Sequence, residues 1–116
     1  MGNPKPQSPS SMELTHQDNG KHIIMTSGDE LIIHLGANPT TGFDWQDNSP
    51  QPSLLAEEDR QYRPLSDAIG SPSELTIHYR ASASGNTSLV LKYRRRWEID
   101  VPPIDTFSIG IVIRES

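Results

Sequence analysis

At 116 residues, 33% apolar and 22% charged, the chain holds material for one continuous core rather than two domains. No cysteine is present, which excludes a disulfide framework, a thiolate nucleophile and a thiolate metal site. A formal net charge of −5 argues against general binding to nucleic acid or to an acidic membrane, since such partners repel an anion over the Debye length.

Residues 1 to 11, MGNPKPQSPSS, are polar and proline-rich with nothing to bury, and are predicted to be a flexible leader ahead of a domain spanning 12 to 116. A spacer of this kind is common in exported and lipid-anchored proteins, so export with the signal absent from this chain is one expectation for location. The apolar runs stay far short of the roughly 20 residues that a bilayer-spanning helix needs. No membrane span is expected.

Strand signals begin at Met12 with MELTH, KHIIMTS and ELIIHLGA, the last two separated by a turn at Ser27-Gly28-Asp29. Leu31, Ile32, Ile33 and Leu35 form a nearly continuous apolar run, predicted to cross the middle of a sandwich. FDWQ at 43 to 46 reads as a further strand, broken by the prolines of DNSPQPS. The segment 54 to 73 is the least regular: one helical turn is the most expected there, because no 3.6-residue period follows and Pro64 and Pro72 limit any helix. Leu75, Ile77 and Tyr79 then alternate with Thr76, His78 and Arg80, a turn follows at Ser84-Gly85-Asn86, and Leu89, Leu91 and Tyr93 repeat the pattern, predicting a hairpin. Phe107, Ile109, Ile111 and Ile113 predict a half-buried closing strand. With ten prolines and eight glycines spread along the chain, these short strands predict an all-β, immunoglobulin-like β-sandwich.

One loop carries unusual conformational control. In GANPTTGFDW, residues 36 to 45, Pro39 fixes its own φ and pushes Asn38 toward extended backbone, while Gly42 permits a positive φ. A loop held in shape loses less entropy on binding, so it can serve recognition. On spacing alone, two turn formers joining strands explain it as well.

The whole pattern Asn38-Pro39-Thr40-Thr41-Gly42-Phe43-Asp44-Trp45 resembles the signature loop of the chagasin-type inhibitors of papain-like cysteine proteases. That family has a later arginine-proline-tryptophan motif, and Arg95-Arg96-Trp97 matches it except that Arg96 replaces the proline. Between them, where the family has glycine-any-glycine-glycine, this chain has Gly70-Ser71-Pro72-Ser73, of which Gly70 alone matches. The resemblance covers roughly 12 to 113.

The resemblance implies a sandwich with three binding loops side by side at one end that enter the cleft of a papain-like, cathepsin L-like protease. It implies a protein that is not an enzyme, needs no metal or cofactor and is a monomer when free. Asn38, Pro39, Thr40, Thr41, Gly42 and Phe43 would contact the protease first, Gly70, Ser71, Pro72 and Ser73 would flank on one side, and Arg95, Arg96 and Trp97 on the other. Trp97 would anchor on the enzyme surface, although its alternation with Leu89, Leu91 and Tyr93 also suits a core residue. Arg95 would stack beside Trp97 or pair with an acidic rim of the protease. Trp45 is expected in the core.

Other features carry less. His16, His22, His34 and His78 lack metal-ligand spacing and fall mostly on polar strand phases. Glu57, Glu58 and Asp59 read as a solvated turn. Lys92, Arg94, Arg95 and Arg96 around Tyr93 and Trp97 suit single-stranded nucleic acid by composition, against which stands the acidity of the chain. No phosphate loop or nucleophile elbow occurs. The second expectation, from another class, is a non-inhibitory immunoglobulin-like adhesion or accessory module.

Overall fold

Alternating apolar residues bury one face of a strand and leave the other wet, and two such sheets close on each other. The computed structural model describes residues 10 to 51, 53 to 98 and 100 to 115. Along the chain run β1 (Ser11–Thr15), β2 (His22–Thr26), β3 (Glu30–Ala37), β4 (Phe43–Asp47), β5 (Leu55–Pro64), β6 (Ser73–Ala81), β7 (Gly85–Arg95) and β8 (Asp105–Arg114), with single 3-10 turns at His16–Asp18 and Pro39–Thr41. One sheet has the order β1-β3-β6-β5 and the other β2-β8-β7-β4. The β1–β3 and β2–β8 pairs are parallel, and the rest are antiparallel. The predicted all-β sandwich is the fold observed.

The core lies between the sheets. Leu31, Ile33 and Leu35 of β3 and Leu75, Ile77 and Tyr79 of β6 face Leu89 and Leu91 of β7 and Phe107, Ile109, Ile111 and Ile113 of β8, all buried. Each aliphatic side chain taken from water in this way contributes about 1.5–3 kcal/mol before chain entropy is set against it. Strand β3 is an interior strand, as the apolar run predicts, but Ile32 faces outward and is half-buried. Among the described residues no helix is long and apolar enough to cross a membrane.

Three expectations need correction. Residues 55 to 64 form a ten-residue strand and not a helical turn or irregular segment. Within it Glu57, Glu58 and Asp59 sit at a bulge against β6, so the acidic run is strand and not turn. The strands on either side of Ser84 are not a hairpin, because β6 belongs to one sheet and β7 to the other. The leader expected over 1 to 11 lies outside the described residues up to position 9, and Ser11 already opens β1.

The open edge between β4 and β5 is tied by polar groups. The Arg60 guanidinium donates to the Trp45 carbonyl at 2.7 Å, and the Tyr62 hydroxyl donates to Asp44 at 2.6 Å. Burial works against the Arg60 charge, but hydrogen bonds with Glu57 and Tyr62 and the nearby carboxylates outweigh it and hold its pKa above the ordinary value.

Candidate functional site

Strand direction brings three connections to one end. The register pairs Ala37 with Ser73 and Ser73 with Pro64, while Phe43 pairs with Arg95 and Tyr93 with Asp105. The β3–β4, β5–β6 and β7–β8 loops therefore leave the same end of the sandwich.

The first loop is a 3-10 turn closed by its own atoms. Thr41 N–H donates to the Asn38 carbonyl at 3.1 Å and Gly42 N–H to the Pro39 carbonyl at 3.0 Å. The Thr41 hydroxyl donates to the same Asn38 carbonyl at 2.7 Å, and the Thr40 hydroxyl to the Asn38 side-chain oxygen at 2.8 Å. Gly42 ends the turn at φ 85°, the left-handed region in which glycine is least strained. Pro39, Thr40 and Thr41 are exposed, and none of their side chains enters the core.

A stack of rings holds this turn from below. Tyr93 lies 5.4 Å from Phe43 and 4.9 Å from Trp45 between ring centroids, and the Arg95 guanidinium sits 4.4 Å above the Phe43 ring. The Tyr93 hydroxyl accepts from Asn38 N–H at 2.9 Å, and Arg95 Nε donates to the Thr41 carbonyl at 3.1 Å. Both ends of the turn are thus fastened to β7. Trp45 is buried, as expected, with its indole N–H on the Gly36 carbonyl at 2.9 Å. Sequence reasoning assigned no such part to Tyr93. Its inward phase after Leu89 and Leu91, at the last turn before the loop, is the signal that marks it.

The other two loops flank the first. Trp97 is 67% exposed, so it is not the core residue that alternation allows, and its indole lies against the backbone of Gly42. Pro39, Gly42, Phe43, Asp44, Arg96 and Trp97 line one hollow of about 320 Å³. On the opposite side, Thr40 shares a second hollow with Ser66, Asp67, Ala68, Gly70 and Ser71 of the middle loop. There Gly70 takes φ 77°, and Ser71 N–H and Leu65 N–H close the loop on the Ala68 and Pro72 carbonyls. The three segments singled out by motif are neighbours.

Three of the expected contact residues sit differently. Ser73 is buried at the start of β6 and presents no surface beyond the floor of the second hollow. Phe43 is a half-buried prop between Arg95 and Tyr93. Arg95 stacks on Phe43 rather than beside Trp97 and pairs with the chain's own Glu98 at 3.2 Å, because its phase on β7 points it inward over its cross-strand partner.

Comparison with known proteins identifies the fold and the family. The profile of the chagasin family peptidase inhibitor I42 matches residues 24–111. Chagasin of Trypanosoma cruzi is 30% identical over 92 residues, covering 75% of this chain and 84% of its own. Amoebiasin-2 of Entamoeba histolytica is 28% identical over 103 residues, covering 87% and 84%. The crystal structure of the cysteine protease inhibitor EhICP2 from Entamoeba histolytica superposes with a TM-score of 0.81 at 24% identity, over 94% of this chain and 100% of that one, and so shares the fold. The chain belongs to the chagasin family of peptidase inhibitors, which block cysteine proteases and are not themselves enzymes.

Proposed function

We propose that the protein binds papain-like cysteine proteases reversibly and tightly, with the Asn38-to-Gly42 turn laid across the catalytic cysteine and histidine and the Gly70 and Trp97 loops as clamps. The observation that carries this reading is the closed state of the turn. A protease must hold the scissile carbonyl about 3–3.5 Å from its thiolate and feed the developing oxyanion to donors. In this loop the Asn38 and Pro39 carbonyls already accept bonds inside the turn, and the Thr41 carbonyl accepts from Arg95. With these three carbonyls held, presenting any of them to the nucleophile in attack geometry would require the turn to open. Trp97, exposed beside the turn, supplies the aromatic anchor, a residue type whose burial removes about 150–250 Å² from water.

A steady-state assay with papain and cathepsin L-like enzymes tests the reading. Inhibition with slow dissociation is expected. Several such enzymes left fully active by micromolar protein would overturn it.

A further inference from the structure

The loop end carries cations that the fold does not neutralise. Lys92 and Arg94 are two positions apart on β7, with Leu91 and Tyr93 turned inward, so both face out from the same sheet about 7 Å apart. Arg96 follows in the exposed turn after β7, beside Trp97. Lys92 faces Gln46 on β4 and Thr106 on β8, and Arg94 donates to the neutral Gln46 side chain at 2.9 Å. Asp44, the carboxylate opposite Arg94 in the register, accepts instead from the Tyr62 hydroxyl and pairs with Arg60 at 3.5 Å. Among the described residues Lys92, Arg94 and Arg96 form no ion pair, nor does Arg114 at the opposite end of β8, whereas Lys21, Arg60, Arg63, Arg80 and Arg95 all do. A chain with a formal charge of −5 thus gathers three unpaired cations along one stripe that ends at the candidate contact surface.

We infer that Lys92, Arg94 and Arg96 dock against an acidic patch beside the cleft of the target protease and steer the loops to it. This rests on the inhibitor reading and adds the class of target, proteases whose cleft rim is negative. Charges within a Debye length of one another sum their fields, and complementary patches raise association rates by roughly 10–1,000-fold at low salt. The net negative charge of the rest of the molecule favours approach by the stripe over other orientations on average. A long polyanion would meet that remainder as well as the stripe, whereas a compact acidic rim would meet the stripe alone. Arg96, in the turn just past the end of β7, adds a third cation at the hollow that it lines with Trp97, Pro39 and Gly42, on the surface that the loops present.

The test is stopped-flow association with papain-like proteases of acidic and of neutral rim, over salt from about 20 to 500 mM. With an acidic-rim enzyme, Arg94→Glu is expected to slow association several-fold and Lys92→Glu/Arg94→Glu about tenfold or more, with rates converging at high salt. Dissociation should stay within about twofold, as for rim charges generally. Lys92→Gln/Arg94→Gln should fall between, and thermal melting checks its fold. Arg114→Glu changes net charge as Arg94→Glu does but lies at the far end of β8, and should leave the rate near that of the unsubstituted protein. Equal slowing by Arg94→Glu and Arg114→Glu, or a salt slope unchanged in the double reversal, overturns the stripe while wild-type inhibition still stands. Binding of a single-stranded oligonucleotide that the double reversal abolishes, with protease association unaffected, overturns it in favour of a nucleic-acid site. Failure of the unsubstituted protein to inhibit any papain-like enzyme overturns the inhibitor reading and the stripe with it.

Discussion

Gly42 and Trp97 interlock: the indole occupies the space in which any side chain at position 42 would stand. Gly42→Ala therefore carries two penalties, a left-handed φ of 85° and eviction of the indole. The strain alone is about 1–2 kcal/mol. In a Trp97→Ala background only that strain should remain, so the two substitutions should be less than additive in a denaturant double-mutant cycle. Strict additivity would show that the two loops do not support each other.

Tyr93→Phe keeps the ring stack and removes one oxygen. Asn38 N–H then loses its partner, an unmet donor worth about 1–3 kcal/mol when buried and less in this half-buried position. The Asn38 amide should exchange hydrogen faster, and the inhibition constant should rise by about tenfold if the loss is near 1.4 kcal/mol. Unchanged exchange would mean that the turn stays closed without Tyr93.

Thr41→Ala and Trp97→Ala separate the contact from its support. Thr41→Ala removes a hydroxyl bond at 2.7 Å within the turn, and Trp97→Ala removes the exposed indole. Both should weaken inhibition mainly through faster dissociation, by about fivefold for a loss near 1 kcal/mol and about thirtyfold for one near 2 kcal/mol. Surface plasmon resonance on an inactivated protease reads both rates, and unchanged off-rates in both variants would place the contact elsewhere.

Arg95→Ala tests why the loop should resist cleavage. It frees the Thr41 carbonyl and uncovers Phe43. Prolonged incubation with protease should leave the unsubstituted chain intact and cut the variant within 38 to 43, as mass spectrometry would show. An intact variant would assign the resistance to the internal bonds of the turn alone.

How much of this the sequence shows depends on what makes each element. Strands β3, β6 and β8 are legible because burial imposes the alternation that the eye finds: Leu75, Ile77 and Tyr79 are all fully buried. Strand β5 is illegible because after Leu55 nearly every residue is exposed, so backbone pairing to β6 makes it a strand and no hydrophobic pattern records that. The supposed hairpin fails because a short turn reports that the chain reverses, not which sheet receives the next strand. Alternation also misplaces Trp97, since β7 ends at Arg95 and the phase that holds Tyr93 inward is lost in the following turn. The motif finds the three loops. The column of Arg95, Phe43, Tyr93 and Trp45 that braces them is a matter of cross-strand contact and emerges only from the fold.

The buried hydroxyl of Tyr79 makes stability fall at alkaline pH. The residue is fully buried in the core, its hydroxyl 3.4 Å from Asp47, and burial, then the charge of Asp47, pushes its pKa far above the usual tyrosine value. Burial and then the bond to Asp44 push Tyr62 in the same direction. A raised folded pKa means that the native state keeps a proton which the unfolded chain gives up. The stabilisation is therefore complete below the unfolded value near 10 and is lost as pH rises above it, by about 1.4 kcal/mol per pH unit for Tyr79. Tyr79→Phe removes only a long hydrogen bond and should cost about 1 kcal/mol or less at pH 7. Above pH 10 its stability should fall one proton's slope less steeply than that of the unsubstituted protein, in denaturant titrations repeated across pH. Parallel slopes would show that Tyr79 ionises inside the folded core.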